Sequence, residues 1–163
     1  MVQDVVVRPA RASDLAACRE MADENWRRSI GDKVAAEKLD AIVSRRHSDE
    51  TLTRQLAEPD TLFLVGDCHD EIVAQAFLRK VEGGFFIDRL HVTLHRQGLG
   101  IGAKMMDALI ERTAGTPLVA EVMADNGAAR SFLTHCGFAP TDRQAALAAE
   151  TGLAALVMER PPR

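Results

Sequence analysis

The sequence predicts an α/β fold of the α+β kind: a mixed, mostly antiparallel sheet flanked by helices. Three observations predict it. At 163 residues the chain can bury one core but is too short for two. Strand-like segments crowd the middle of the chain, separated by the turn-forming groups Gly66-Asp67-Cys68-His69-Asp70 and Gly83-Gly84, as antiparallel neighbours are. Apolar residues at helical spacing fill the stretches on either side. No repeat or low-complexity linker interrupts the chain, so one domain over residues 1–163 is expected.

In chain order, Val5-Val6-Val7, followed by Arg8-Pro9, reads as a short buried strand. Ser13-Asp14 offers an N-cap to a helix whose stripe is Leu15, Cys18, Met21 and Ala22. Residues 34–56 are again helical in pattern, with Leu39, Ile42 and Val43 on one face and Leu52 and Leu56 continuing it. The polar stretch from Ser44 to Glu50 divides this segment into two helices. Strands are expected at 61–65, 72–81 and 85–92. Gly98 to Gly102 then opens an amphipathic helix carrying Ile101, Met105, Met106, Leu109 and Ile110, stopped by Thr113-Ala114-Gly115-Thr116-Pro117. A strand at 118–123, a helix at 128–135, a strand beginning at Gly137-Phe138 and a last strand at 153–159 complete the chain. Residues 144–150 form either a helical turn or a hairpin loop. The resulting order is β-α-α-β-β-β-α-β-α-β-β.

A net charge of −4 argues against a nucleic-acid surface, which needs clustered positive charge. No apolar run reaches the roughly 18 residues of a membrane span, and the N-terminus has no basic-then-apolar signal pattern. Cys18, Cys68 and Cys136 are odd in number and far apart, so neither a disulfide framework nor a zinc site is expected, and the cytoplasm is the expected location.

The chemistry-bearing feature is Gln97-Gly98-Leu99-Gly100-Ile101-Gly102. Glycines opening a helix after a strand bring backbone N–H groups and the positive end of the dipole close to an anion. A P-loop is excluded, because the sixth residue from Gly98 is Ala103 and Lys104 is followed by Met105. Gly98-x-Gly100-x-x-Ala103 satisfies the dinucleotide fingerprint, with Glu121 downstream, but that turn belongs after the first strand of a βαβ series. Here several short-connected strands precede it. A glycine-rich helix start with no ligand is the remaining alternative.

Leu90-His91-Val92 followed by this turn resembles the [QR]xxGx[GA] acyl-CoA motif of the GNAT superfamily of N-acetyltransferases. A second segment, Glu121-Val122 through Asn126 and Ala129 to Gly137-Phe138, resembles that family's later strand–helix–Gly-Phe motif. The resemblance implies a sheet splayed between its fourth and fifth strands, with acetyl-CoA as cofactor. It implies that main-chain groups of Leu90 and Val92 pair with the pantetheine arm. Amides of Gln97, Gly98, Leu99, Gly100, Ile101 and Gly102 would hold the pyrophosphate, and Asn126 would bond the pantetheine portion. Arg96 and Arg130 are further phosphate candidates. Dimers are common in the family.

Acyl transfer to an amine needs a base for the amine proton, polarisation of the thioester carbonyl, and a proton for the departing thiolate. Glu121 matches the base position of the ribosomal-protein alanine acetyltransferase branch. Asp88 shares a strand face with Phe86 and Leu90, a face other members use for their bases. Val92 N–H would polarise the carbonyl. The family's tyrosine acid falls on Leu133, and the chain contains no tyrosine. Ser131, His135, Cys136 and water are the substitutes. His91 is expected on the opposite strand face, and Trp26 in the core or lining the acceptor pocket. The expected activity is acetyl transfer to a primary amine of a small molecule or protein N-terminus. A non-catalytic acyl-CoA-binding module is the alternative.

Overall fold

A computed structural model of the chain describes residues 2–162. The strands are β1 (Val5–Pro9), β2 (Thr61–Cys68), β3 (Glu71–Val81), β4 (Gly84–Val92), β5 (Leu118–Met123), β6 (Ala139–Pro140) and β7 (Ala155–Arg160). The helices are α1 (Leu15–Ile30), α2 (Ala36–His47), α3 (Asp49–Ala57), α4 (Ile101–Arg112), α5 (Gly127–His135) and α6 (Ala146–Thr151). The strands form one mixed sheet in the order β1-β2-β3-β4-β5-β7-β6.

By contact density the chain divides into two compact units. One holds the residues up to Phe77 together with Arg89–Met105; the other holds Leu78–Asp88 and the residues from Met106 onward. In the first unit β1 runs antiparallel to β2, from Val5 opposite Cys68 to Pro9 opposite Leu64. Its core gathers Leu15, Cys18, Leu52, Phe63, Val65 and Phe77, joining the apolar stripe of α1 to the inward face of β2 and β3. In the second unit β4 and β5 are parallel, but only Phe85–Ile87 pair, with Leu118–Ala120. Both strands continue past this short ladder. β5 then pairs antiparallel with β7 over its whole length, Leu118 opposite Arg160 through Met123 opposite Ala155. Leu109, Leu118, Val157 and Met158 are among its buried residues.

Three local expectations need correction. Gly66-Asp67-Cys68 belongs to β2, because β1 continues to pair with it; the turn shrinks to His69-Asp70, both at positive φ (51° and 69°). Asp67 Oδ1 accepts the Asp70 N–H at 2.8 Å and stabilises that turn. Asp14 precedes α1 through a short 3-10 turn, and its carboxylate is drawn away from the α1 amides to Arg8 (2.8 Å) and to Arg11 N–H (2.8 Å). Gly137-Phe138 closes α5 rather than opening a strand, and β6 begins only at Ala139. The expected division of residues 34–56 gives three helices before β2. The division within residues 34–56 falls at Ser48, whose Oγ accepts the Thr51 N–H at 3.1 Å and caps α3. Residues 144–150 take the helical option, as α6.

Candidate functional site

In the first unit the chain leaves β4 at Val92, makes a 3-10 turn over Leu94–Arg96, and enters α4 at Ile101. Gly98 and Gly100 have φ of +80° and +87°, a region other L-residues rarely adopt. A Cβ on Gly98 would meet nothing within 4 Å, and one on Gly100 only Val2 Cγ2 at 3.9 Å. These glycines therefore serve the backbone path, and the space above them is open. The first helical bond is Lys104 N–H to Gly100 O, 3.2 Å. The amides of Ile101, Gly102 and Ala103 thus lie in an unpaired first turn, where dipole and N–H groups favour an anion. Gln97, Gly98, Leu99 and Gly100 are exposed.

Just before the turn, the Val92 carbonyl is held by two side chains. Asn25 Nδ2 of α1 donates to it at 3.2 Å and Gln97 Nε2 at 3.0 Å. Arg96 pairs with Glu71 at 3.2 Å.

In the second unit Asp88 is half-buried on β4 and makes no side-chain hydrogen bond or ion pair among the described residues. Glu121 is engaged: its two oxygens accept the N–H groups of Ala146 (3.1 Å) and Leu147 (2.9 Å) at the start of α6. Asn126 caps α5, its Oδ1 accepting Ala129 N–H at 3.1 Å, so its NH2 is the part left for a ligand. The Gly-Phe pair has a local reason. Gly137 takes φ +95° after α5, and Phe138 N–H donates to Leu133 O at 3.0 Å, the 6→1 bond of a Schellman closure. Leu133 and Phe138 are both buried. An open cavity of about 480 Å³ is lined by Gly127, Arg130, Ser131, Thr134, His135, Pro140 and Met158. Arg130 donates to Ala124 O at 2.8 Å. Burial raises the Cys136 thiol above its usual range and keeps it protonated at neutral pH.

Against known families, residues 18–138 match the Acetyltransferase (GNAT) family, a span covering both motifs and most of the chain. The chain belongs to this GNAT acetyltransferase family. Among solved structures, it is similar to the PaiA N-acetyltransferase of Thermoplasma acidophilum in complex with coenzyme A: TM-score 0.82, 18% identity, 96% of this chain and 98% of that one covered. The ribosomal-protein-alanine N-acetyltransferase of Escherichia coli gives TM-score 0.68, 17% identity, 97% and 94% coverage. A GNAT-family acetyltransferase from Staphylococcus aureus gives 0.74, 14%, 96% and 98%. At these identities the structures attest the fold. No curated protein matches the sequence significantly.

Two features of this GNAT chain escaped the sequence reading. Asn25 occupies the next turn of the α1 stripe, where an apolar residue is expected. A polar side chain in that register was the available signal. Arg89, alternating with Ile87 and His91 on β4, is buried at 3% exposure. Its Nε donates to Gln75 Oε1 at 2.8 Å, and its guanidinium lies over the Phe63 and Phe77 rings, 4.9 and 5.4 Å from their centroids. Gln75 in turn donates to Cys18 O at 2.7 Å and lies 3.5 Å from His91 Nδ1. His91 faces His47, which faces Trp26, each pair edge-on at 6.1 Å, with Arg46 4.8 Å over the indole. Desolvation, with the Arg89 and Arg46 charges, pushes His91 down to about 3; burial, with His91 and those charges, pushes His47 to about 2. Both imidazoles are neutral at physiological pH, and His91 packs against Gln75 and His47.

Proposed function

We propose that the chain, acting as one acyltransferase domain in the cytoplasm, transfers an acetyl group from acetyl-CoA to a primary amine. The acceptor is a small molecule or a protein N-terminus, and attack is direct. The observation carrying this reading is the turn at Gly98 and Gly100, whose paired positive-φ glycines and open amides fit a pyrophosphate in a GNAT-family chain. The coenzyme A bound by the Thermoplasma relative supports the choice of cofactor.

In this reading, amides from Gln97 to Gly102 hold the pyrophosphate. Main-chain groups of Leu90 with the Asn126 NH2 hold the pantetheine; Val92 meets the cofactor where that arm joins the acyl group, and its N–H polarises the thioester carbonyl. Asp88 takes the amine proton, because its carboxylate has no competing partner among the described residues, whereas both Glu121 oxygens already bind α6. Glu121 is the second base candidate. The amine nitrogen bonds to the carbonyl carbon, the C–S bond breaks, and the thiolate takes a proton from water. Leucine at 133 cannot supply one.

Buried Leu133 favours the second reading, a CoA-binding module without turnover. Thiol release from acetyl-CoA across a panel of primary amines and N-terminal peptides separates the two. Turnover on at least one amine is expected, with Asp88→Asn lowering kcat by about 100-fold or more, the usual scale of a lost base. Saturable CoA binding with no turnover on any amine sinks the enzyme reading. Failure to bind CoA sinks both.

A further inference from the structure

The hydrogen bonds around Val92 O form a closed set. Asn25 Nδ2 donates to Met21 O at 2.9 Å and to Val92 O at 3.2 Å. Gln97 Nε2 donates to Asn25 Oδ1 at 3.2 Å and to Val92 O at 3.0 Å. Two amide groups carry four N–H donors, and all four are used. A carbonyl oxygen has two lone pairs, and both are filled.

The orientation of Val92 follows from its neighbour. Thr93 N–H donates to Val73 O on β3 at 2.9 Å. In a planar trans peptide the C=O of Val92 points opposite to the N–H of Thr93, hence away from β3. Within an extended strand a residue's own N–H and C=O share one edge, so Val92 N–H points away from β3 as well. It is aimed along the edge of β4 beyond the ladder ending at Ile87.

We propose that Asn25 and Gln97 are positioning residues that reserve Val92 for the acyl group. By saturating its carbonyl they leave N–H as the one main-chain group of Val92 that a ligand can engage. An arriving cofactor must then present an acceptor there, the thioester oxygen, rather than an amide donor. Gln97 also opens the glycine turn, so a single residue joins the anion-binding backbone to the acyl-binding peptide. The separation of pyrophosphate from thioester is thereby measured against one fixed frame. This inference rests on the acetyl-transfer reading above. The stability these bonds contribute at exposed Gln97 is small.

Asn25→Leu and Gln97→Met keep size and neutrality and remove the donors. Three quantities are measured: Kd for acetyl-CoA, kcat with the best amine of the panel, and the infrared carbonyl stretch of bound carbonyl-labelled acetyl-CoA. In the wild type the stretch is expected to lie below that of free acetyl-CoA. In both variants most of that displacement is expected to vanish, and kcat to fall about tenfold, in line with a misaligned donor. Kd is expected to stay within about threefold, because the backbone amides of the turn remain. An unchanged stretch, or a Kd that rises in step with the loss of kcat, overturns the proposal. If Asn25→Leu does not fold, exposed Gln97 still decides the matter. A wild type that binds acetyl-CoA without turning over any amine leaves the stretch as the deciding readout. A wild type that does not bind it overturns the parent reading, and this one with it.

Discussion

Two carboxylates of the second unit look interchangeable in sequence and differ in what surrounds them. Glu121 accepts two backbone N–H groups of α6, whereas Asp88 accepts none among the described residues. Glu121→Gln is therefore expected to lower unfolding free energy in urea by about 2 kcal/mol, since a charged acceptor is replaced by an amide that turns an N–H toward another donor. Asp88→Asn is expected to change it by less than about 0.5 kcal/mol. The reverse ranking would remove the reason for preferring Asp88 as base. Sequence could not separate them, because the partner of Glu121 arrives 25 residues later from a helix whose existence the alanine-rich composition left open. Asn25 was hidden differently, reading as a helical polar residue until its carbonyl partner, 67 residues away, was in place.

At the scale of elements, the legible parts were those specified locally. Gly98 and Gly100 announce positive φ by being glycine, and the stripes of α1 and α4 announce their buried faces by spacing. The boundaries that moved were set by distant pairing: β2 runs on through Gly66-Asp67-Cys68 because β1 lies beside it. The Gly-Phe pair illustrates both. It marks the end of α5, but its work is helix closure, with Gly137 at φ +95° and Phe138 N–H bonded to Leu133 O. A Cβ at 137 would meet Arg160 at no less than 3.5 Å, so Gly137→Ala meets conformational strain without a clash. A loss of about 1–2 kcal/mol is expected, measured as a lowered urea midpoint with an unchanged m-value. A loss near zero would show that the closure does not depend on the left-handed residue.

For the whole molecule, the neighbouring imidazoles are expected to set much of the loss of stability in acid. Desolvation holds His47 and His91 far below the 6.5 of an unfolded histidine, at about 2 and about 3. Protonation then favours the unfolded chain. The stability each residue contributes is complete above pH 6.5, declines as pH falls, and is gone below its folded value. The slope is about 1.4 kcal/mol per pH unit for each neutral imidazole. Unfolding free energy is thus expected to drop steeply from pH 6.5 toward pH 4, with carboxylates such as Asp14, held down by Arg8, adding their share at lower pH. His47→Phe, filling a buried site beside Trp26, is expected to reduce that slope by about half in a urea titration at several pH values. An unchanged slope would assign the acid limb to the carboxylates alone.

The strand order has one more consequence. Its outermost strands are β1 and β6, and each ends in a proline, Pro9 and Pro140. Proline offers no N–H to a neighbouring strand, and natural sheets use it to stop their rims from recruiting further copies. Each rim therefore carries one position without a donor. A further strand laid on either rim would lack one main-chain hydrogen bond at that proline.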